Sequence, residues 1–174
     1  MDKKTIRNII KARVRAMGDA ERSDEALKLL NSISSEPHFI EAQKVLIYNP
    51  LPDEIDVLPI LERFKAEKQF FMPVVDGDNL KILPYTEEQR IGAFNISEPV
   101  GSDFVSIDSI DLVIVPGVGF SSDGCRLGRG KGFYDRLLSG ATCYKIGVCF
   151  ECQNNPDIGV VSEPHDVRMD TVLY

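Results

Sequence analysis

The 174-residue sequence predicts a single α/β domain, three layers thick (α/β/α), built on a mostly parallel sheet of Rossmann-like type. Three observations carry this. Short apolar, β-branched runs alternate with segments of helical periodicity along the whole chain. The length suits one domain with a sizeable core. No internal repeat, low-complexity stretch or long linker divides residues 1–174.

Residues 4–17 read as an amphipathic helix, with Ile6, Ile9, Ile10, Val14 and Met17 on one face. Lys4, Arg7, Lys11 and Arg15 form a second stripe, roughly a quarter to a half turn away. Asp19 reads as the N-cap of a second helix that runs to about Ser35, and His38 as a helix-boundary residue. KVLIY (44–48) is a buried strand; the two prolines of NPLPDE then forbid regular structure. Residues 56–68 read as a helix. QFFMPVV (69–75) and LKILPY (80–85) are strands on either side of an Asp-Gly-Asp-Asn turn, either a hairpin or neighbours. Residues 86–104 are polar and expected to be irregular. DLVIVPG (111–117) is the cleanest buried strand. A helix over 131–139 opens after a glycine-rich loop, YKIGVCF (144–150) is a further strand, and TVLY ends the chain as a last one.

Composition narrows the function. The chain is 43% hydrophobic and 27% charged, which suits a soluble globular domain. No apolar run approaches the ~20 residues that span a bilayer, and no secretory signal follows the basic N-terminus. A cytoplasmic protein without a membrane partner is expected. The four cysteines, Cys125, Cys143, Cys149 and Cys152, are expected as free thiols. Cys149 and Cys152 make a C-x-x-C, but no second pair completes a zinc ribbon and the pair follows a strand. The net charge of −7 argues against a general nucleic-acid binder. Residues 1–17 hold six basic groups and one acidic, leaving 14 basic and 26 acidic for the rest. The basic helix is then either a solvated face or part of a local anion site.

The densest chemistry is VPGVGFSSDGCRLGRGKGFYDRLL (115–138). A buried strand ends at Pro116; glycines follow at 117, 119, 124, 128, 130 and 132, with Arg126, Arg129 and Lys131 among them, and Asp135 lies in the next helix. Glycine lets the backbone approach a phosphate closely. A helix N-terminus adds free N–H groups, and the cations add charge-assisted bonds. The loop matches neither common phosphate pattern. The Walker spacing would need glycine at Cys125 and Ser or Thr at Gly132, and the dinucleotide spacing would need glycine at Phe133.

The run PGVGFSSDGCRLGRGKGFYDRLL resembles the signature of the 5-formyltetrahydrofolate cyclo-ligase family, also called 5,10-methenyltetrahydrofolate synthetases. The N-terminal KKTIRNIIKARVRAM, the YNPLPDEID segment and the C-terminal EPHDVRMD are similar to that family's basic helix, folate-side loop and acidic motif, in the same order. The resemblance implies Mg-ATP-dependent closure of a folate ring. The formyl oxygen takes the γ-phosphoryl group, N10 attacks the activated carbon, and phosphate leaves. It implies nucleotide contacts from Lys3, Lys4, Arg7 and the run Arg126, Leu127, Gly128, Arg129, Gly130, Lys131, Gly132, Phe133 and Tyr134. Arg129, Lys131 and Tyr134 would be catalytic. Glu54 and Phe94, with Arg129 through Phe133, would meet the folate; Phe94 stands where relatives carry tryptophan, which this chain lacks. Asp135 and Asp166 would hold magnesium.

The residues leave alternatives open. Asp135 also suits a helix-dipole partner, and its replacement by Asn is expected to leave the melting of the unliganded protein near native. Tyr134 suits either site lining or helix packing, and His165 a supporting place beside Asp166. The fold class also admits another phosphate-ligand enzyme, such as a sugar-phosphate isomerase or an acyl-CoA transferase. A non-catalytic nucleotide- or nucleic-acid-binding module is a further reading. A monomer is expected.

Overall fold

The computed structural model describes residues 1–174, the side chain of Val160 excepted. Helix α1 (Lys3–Ala16) starts where the Asp2 carboxylate accepts the Thr5 N–H, and it buries Ile6, Ile10 and Val14. Helix α2 (Asp19–Ser35) is capped by Gly18, so Asp19 occupies the first helical turn rather than the cap; there its charge still complements the dipole. Glu36 caps a short α3 (Pro37–Glu41) that the sequence reading did not separate. His38 lies within it, stacked on Tyr144. Then come β1 (Lys44–Leu46), α4 (Leu58–Phe64), β2 (Gln69–Asp76) and β3 (Asn79–Pro84). Helix α4 is shorter than the expected 56–68, starting after Val57 with Pro59 in its first turn.

Residues 86–104 are not wholly irregular. Strands β4 (Gln89–Ile91) and β5 (Ser97–Pro99) form a small antiparallel ribbon. Three-residue strands carry too little alternation to read, and this pair is anchored from outside: buried Glu98 accepts the Val75 N–H of β2 at 3.0 Å. Strand β6 (Leu112–Pro116) is fully buried; β7 (Gly119–Phe120) and β8 (Arg126–Leu127) form a ribbon inside the glycine-rich segment. Helix α5 (Phe133–Leu138), β9 (Tyr144–Val148) and β10 (Thr171–Leu173) complete the chain.

The main sheet runs β10-β9-β6-β1-β2-β3, parallel except for the β2–β3 hairpin. Helices α2, α3 and α4 cover one face through Leu29, Ile33, Phe39, Ile60 and Leu61. Leu138 of α5 packs with Phe71, Val113 and Phe120 on the other. Helix α1 sets Ile6 and Ile10 against Val118, Leu127 and Ile158, which ties it to the β7–β8 ribbon. The four cysteines are free. Burial pushes the Cys149 thiol up, and the Cys152 sulfur lies 3.6 Å from Met17 Sδ, surroundings that disfavour the reactive thiolate. Among the described residues no helix is long and apolar enough to cross a membrane.

The site follows from the strand order. From β1 the chain builds outward through β2 and β3 on one side, and through β6, β9 and β10 on the other. The loops after β1 and β6 therefore diverge and leave a crevice at the carboxyl ends, where open α/β sheets bind ligands.

Candidate active site

A cleft of about 530 Å³ opens at that crevice. Its walls are the segment after β1 (Tyr48, Asn49, Leu51, Glu54), residues Gly117 and Arg126–Asp135, the end of β2, the β4–β5 turn, α1 and the 163–166 segment. A smaller cavity of about 260 Å³ beside Met72 and Tyr85 is lined by no basic side chain and does not suit a phosphate.

Most residues singled out from sequence converge here. Lys3, Arg7, Glu54, Phe94, all of Arg126–Asp135 and Asp166 line the one cleft. Lys4 does not. It is exposed, turned ~100° around the helix from Lys3, whereas Lys3 and Arg7 lie one turn apart on the face that meets the loop.

Helix α1 holds the loop directly. Arg7 Nε donates to the Gly128 carbonyl at 2.7 Å, and a Cβ on Gly130 would stand 3.7 Å from the Arg7 guanidinium carbon. Gly130 has φ +100° and Gly132 φ +68°, conformations that L side chains rarely adopt. Gly132 is the residue from which α5 departs. Lys131 is exposed and makes no ion pair among the described residues.

Arg126 is not a free cation in the cleft. Its side chain is only 5% exposed; Nη1 donates to the Pro116 carbonyl at 3.1 Å and Nη2 to Asp135 Oδ2 at 3.3 Å. The guanidinium stacks over the Tyr134 ring, and Nε has no partner. Burial lowers its pKa, opposed by Asp135 and Asp166. Burial likewise holds the Tyr134 hydroxyl well above the ordinary tyrosine range, with the Glu54 charge adding to it. Tyr134 thus both packs on the helix and lines the site, as a protonated donor.

Asp135 and Asp166 sit in the same cleft but in different settings. Asp135 is held by Arg126 and by the Val167 N–H. Asp166 accepts Lys3 Nζ and the Glu163 N–H, both at 2.8 Å. Burial raises its pKa, but the Lys3 hydrogen bond and charge outweigh this and leave it lowered. Glu163, His165 and Asp166 place ligand atoms within 4.8 Å of one another, and Lys3 Nζ bridges Glu163 and Asp166. Sequence reasoning missed Glu163 as a possible ligand; its signal was adjacency within EPHDVRMD.

The opposite wall presents Glu54. Its Oε1 accepts Arg129 Nε at 3.1 Å and Nη2 at 3.0 Å, and its Oε2 accepts the Leu51 N–H at 2.9 Å. Asp53, which the sequence did not single out, binds the same Nη2 at 2.5 Å. Phe94 is 57% exposed in the β4–β5 turn, edge-on to Phe133, with φ +58°; Asn95 follows at φ +59°. They are the central pair of the hairpin turn, closed by the Ile96 N–H on the Ala93 carbonyl at 3.2 Å; positive φ at both positions is what such a turn requires, and Asn suits it better than Phe.

The fold and the cleft define an α/β enzyme whose ligand crevice lies at the reversal of strand order and is lined by cations and carboxylates. The family model of the 5-formyltetrahydrofolate cyclo-ligase family matches residues 1–174, and the chain belongs to that family. The mouse 5-formyltetrahydrofolate cyclo-ligase is 30% identical over 190 residues, covering 99% of this chain and 93% of that one. The Escherichia coli K12 enzyme of the same name is 28% identical over 156 residues, covering 83% and 86%. The NMR structure of Aquifex aeolicus 5,10-methenyltetrahydrofolate synthetase superposes with a TM-score of 0.87 at 30% identity, covering 99% of this chain and 89% of that one. The resemblance read from CRLGRGKGFYD therefore stands, as does the α/β fold.

Proposed function

We propose that this enzyme converts 5-formyltetrahydrofolate and ATP to 5,10-methenyltetrahydrofolate, ADP and phosphate. One observation carries the reading: the glycine-basic loop and the Glu54 segment face each other across one cleft, joined through Arg129. A nucleotide on the first wall and a folate on the second would meet between them.

In this reading the formyl oxygen attacks the γ-phosphorus and ADP departs. N10 then closes on the formyl carbon, and the phosphate leaves with the former formyl oxygen. The protein's work is to position and to stabilise charge. Glu54 accepts N–H groups of the pterin edge. Phe94 and Phe133 offer ring surface to the pterin; Phe94 supplies the face without the N–H of an indole. Lys3, Arg7, Arg129 and Lys131 meet phosphate oxygens, with the backbone N–H groups of the loop. Tyr134, kept protonated, donates a hydrogen bond. Asp135 and Asp166 line the same cleft, and Glu163 stands with His165 beside Asp166; the carboxylates, in exchange for Lys3, would offer oxygens to magnesium, which would neutralise phosphate charge. The enzyme acts as a cytoplasmic monomer, with no nucleic-acid or membrane partner.

The test is to mix protein, 5-formyltetrahydrofolate, ATP and Mg²⁺ and to follow the near-ultraviolet absorbance of the methenyl product and the phosphate released. Product is expected only with all components present. Turnover that survives omission of ATP or chelation of metal sinks the reading.

A further inference from the structure

The Arg129 guanidinium has two carboxylate partners, and the chemistry of one of them is double-booked. Glu54 Oε1 takes both Arg129 Nε and Nη2, which uses its two lone pairs, while Oε2 takes the Leu51 N–H. On the proposed reading the same carboxylate receives the pterin N–H edge. A paired N–H edge on Glu54 needs acceptor capacity at Oε1, so pterin and Arg129 compete for that atom. Asp53 is outside the competition. Its Oδ1 binds Arg129 Nη2 at 2.5 Å without touching Glu54.

The two sides of this contact differ in rigidity. Asp53 stands in a braced segment. Pro50 and Pro52 restrict it, Tyr48 Oη donates to the Ile55 carbonyl at 2.8 Å, and the Glu54 N–H donates to the Leu51 carbonyl at 2.9 Å. Arg7 holds the loop at the Gly128 carbonyl, but among the described residues the Arg129 side chain itself is held only by Asp53 and Glu54. A guanidinium that must stay in place needs a tether from the braced side.

We propose that Asp53 is a positioning residue: it keeps the Arg129 guanidinium at the cleft when the pterin takes Glu54, so that Arg129 remains aimed at the phosphoryl group in flight. This rests on the functional reading above. It predicts an effect on the chemical step rather than on nucleotide affinity, because removing an acid from beside a polyanion does not weaken its binding.

The experiment is steady-state kinetics of wild type, Asp53→Asn and Asp53→Glu, each also in an Arg129→Met background. Asp53→Asn is expected to lower kcat about tenfold with KM for ATP unchanged or lower, the size of one oriented charge-assisted contact. Asp53→Glu, which keeps a carboxylate, should recover most of the loss. In the Arg129→Met background Asp53→Asn should change kcat less than about twofold, since no cation is left at position 129 for Asp53 to position. A second readout avoids turnover: the exchange rate of the Arg129 Nη2 hydrogens, the group Asp53 holds, by NMR with 5-formyltetrahydrofolate alone. It should stay slow in wild type and rise in Asp53→Asn. Equal loss in both backgrounds, a harmless Asp53→Asn, or exchange insensitive to Asp53 overturns the proposal and leaves the functional reading intact. A wild type that neither binds nor turns over 5-formyltetrahydrofolate overturns both.

Discussion

Replacing Asp135 by Asn keeps the shape of the side chain and removes its charge. From sequence, with Asp135 as a metal ligand or dipole partner, the unliganded protein is expected to melt near native. The structure predicts otherwise because of what lies behind the carboxylate. Arg126 is 5% exposed, its Nε is unpartnered, and Asp135 is its ion-pair partner at 3.3 Å. Removing one member of a buried pair strands the other charge, at a typical cost of about 3–5 kcal/mol. Two features reduce this: the Asp135 side chain is 19% exposed, and the Asn oxygen still accepts a hydrogen bond. A loss of about 2–3 kcal/mol is therefore expected. For a chain of this size it lowers Tm by about 4–12 °C. The assay is thermal or urea unfolding without nucleotide or metal, run as a double-mutant cycle with Arg126→Met. In that background Asp135→Asn should cost little, because no stranded cation remains. Wild-type melting of Asp135→Asn, or an equal loss in both backgrounds, would refute the argument that Asp135 balances Arg126.

Further outcomes are expected. Arg7→Ala removes the 2.7 Å bond to the Gly128 carbonyl and should weaken Mg-ATP binding by about 1.5–3 kcal/mol, measured by calorimetry; unchanged affinity would confine Arg7 to bracing the loop and remove it from the nucleotide contacts. Phe94→Ala, at an exposed position, should raise KM for 5-formyltetrahydrofolate about 2–13-fold, equivalent to an aromatic contact of ~0.5–1.5 kcal/mol. Its unfolding free energy should stay within about 0.5 kcal/mol of wild type, and an unaltered KM would remove Phe94 from the folate side. Asp123 accepts the Ser121 hydroxyl, with Cys125 and Arg168 also on its carboxylate, and its pKa is lowered to about 2. A depressed folded-state pKa contributes stability above the ordinary value of 3.8, and that contribution is lost as pH falls through about 2. The urea midpoint of Asp123→Asn should therefore lie below wild type at pH 6 and converge on it toward pH 2; a pH-independent gap would contradict this.

Much of the fold was legible because it is local. The runs KVLIY, QFFMPVV, DLVIVPG and YKIGVCF became β1, β2, β6 and β9, since continuous β-branched stretches have few alternatives to a buried parallel strand. Of the apolar face read for α1, Ile6, Ile10 and Val14 are buried and Met17 is half-buried, whereas Ile9 is 37% exposed at the edge of that face. The short elements α3, β4 and β5 were not readable. Each is held by a contact from elsewhere or by a cap, as Glu98 on Val75 holds the β4–β5 ribbon, and carries little periodicity of its own.

The sequence by itself determined which chemistry is concentrated where. Glycines and cations follow a core strand, an acidic motif closes the chain, and a basic helix opens it. These are properties of short stretches, so the family resemblance was already complete in them. Only the tertiary structure decided which charges face one another. Arg126 and Arg129 are three residues apart in one loop, yet one is buried against Asp135 and the other reaches Asp53 and Glu54 across the cleft. Lys3 and Lys4 are adjacent, yet only Lys3 enters the site, because a helix turns ~100° per residue. Ion pairing depends on distances of a few ångströms between segments up to 163 residues apart, and strand order, rather than any local pattern, sets those distances.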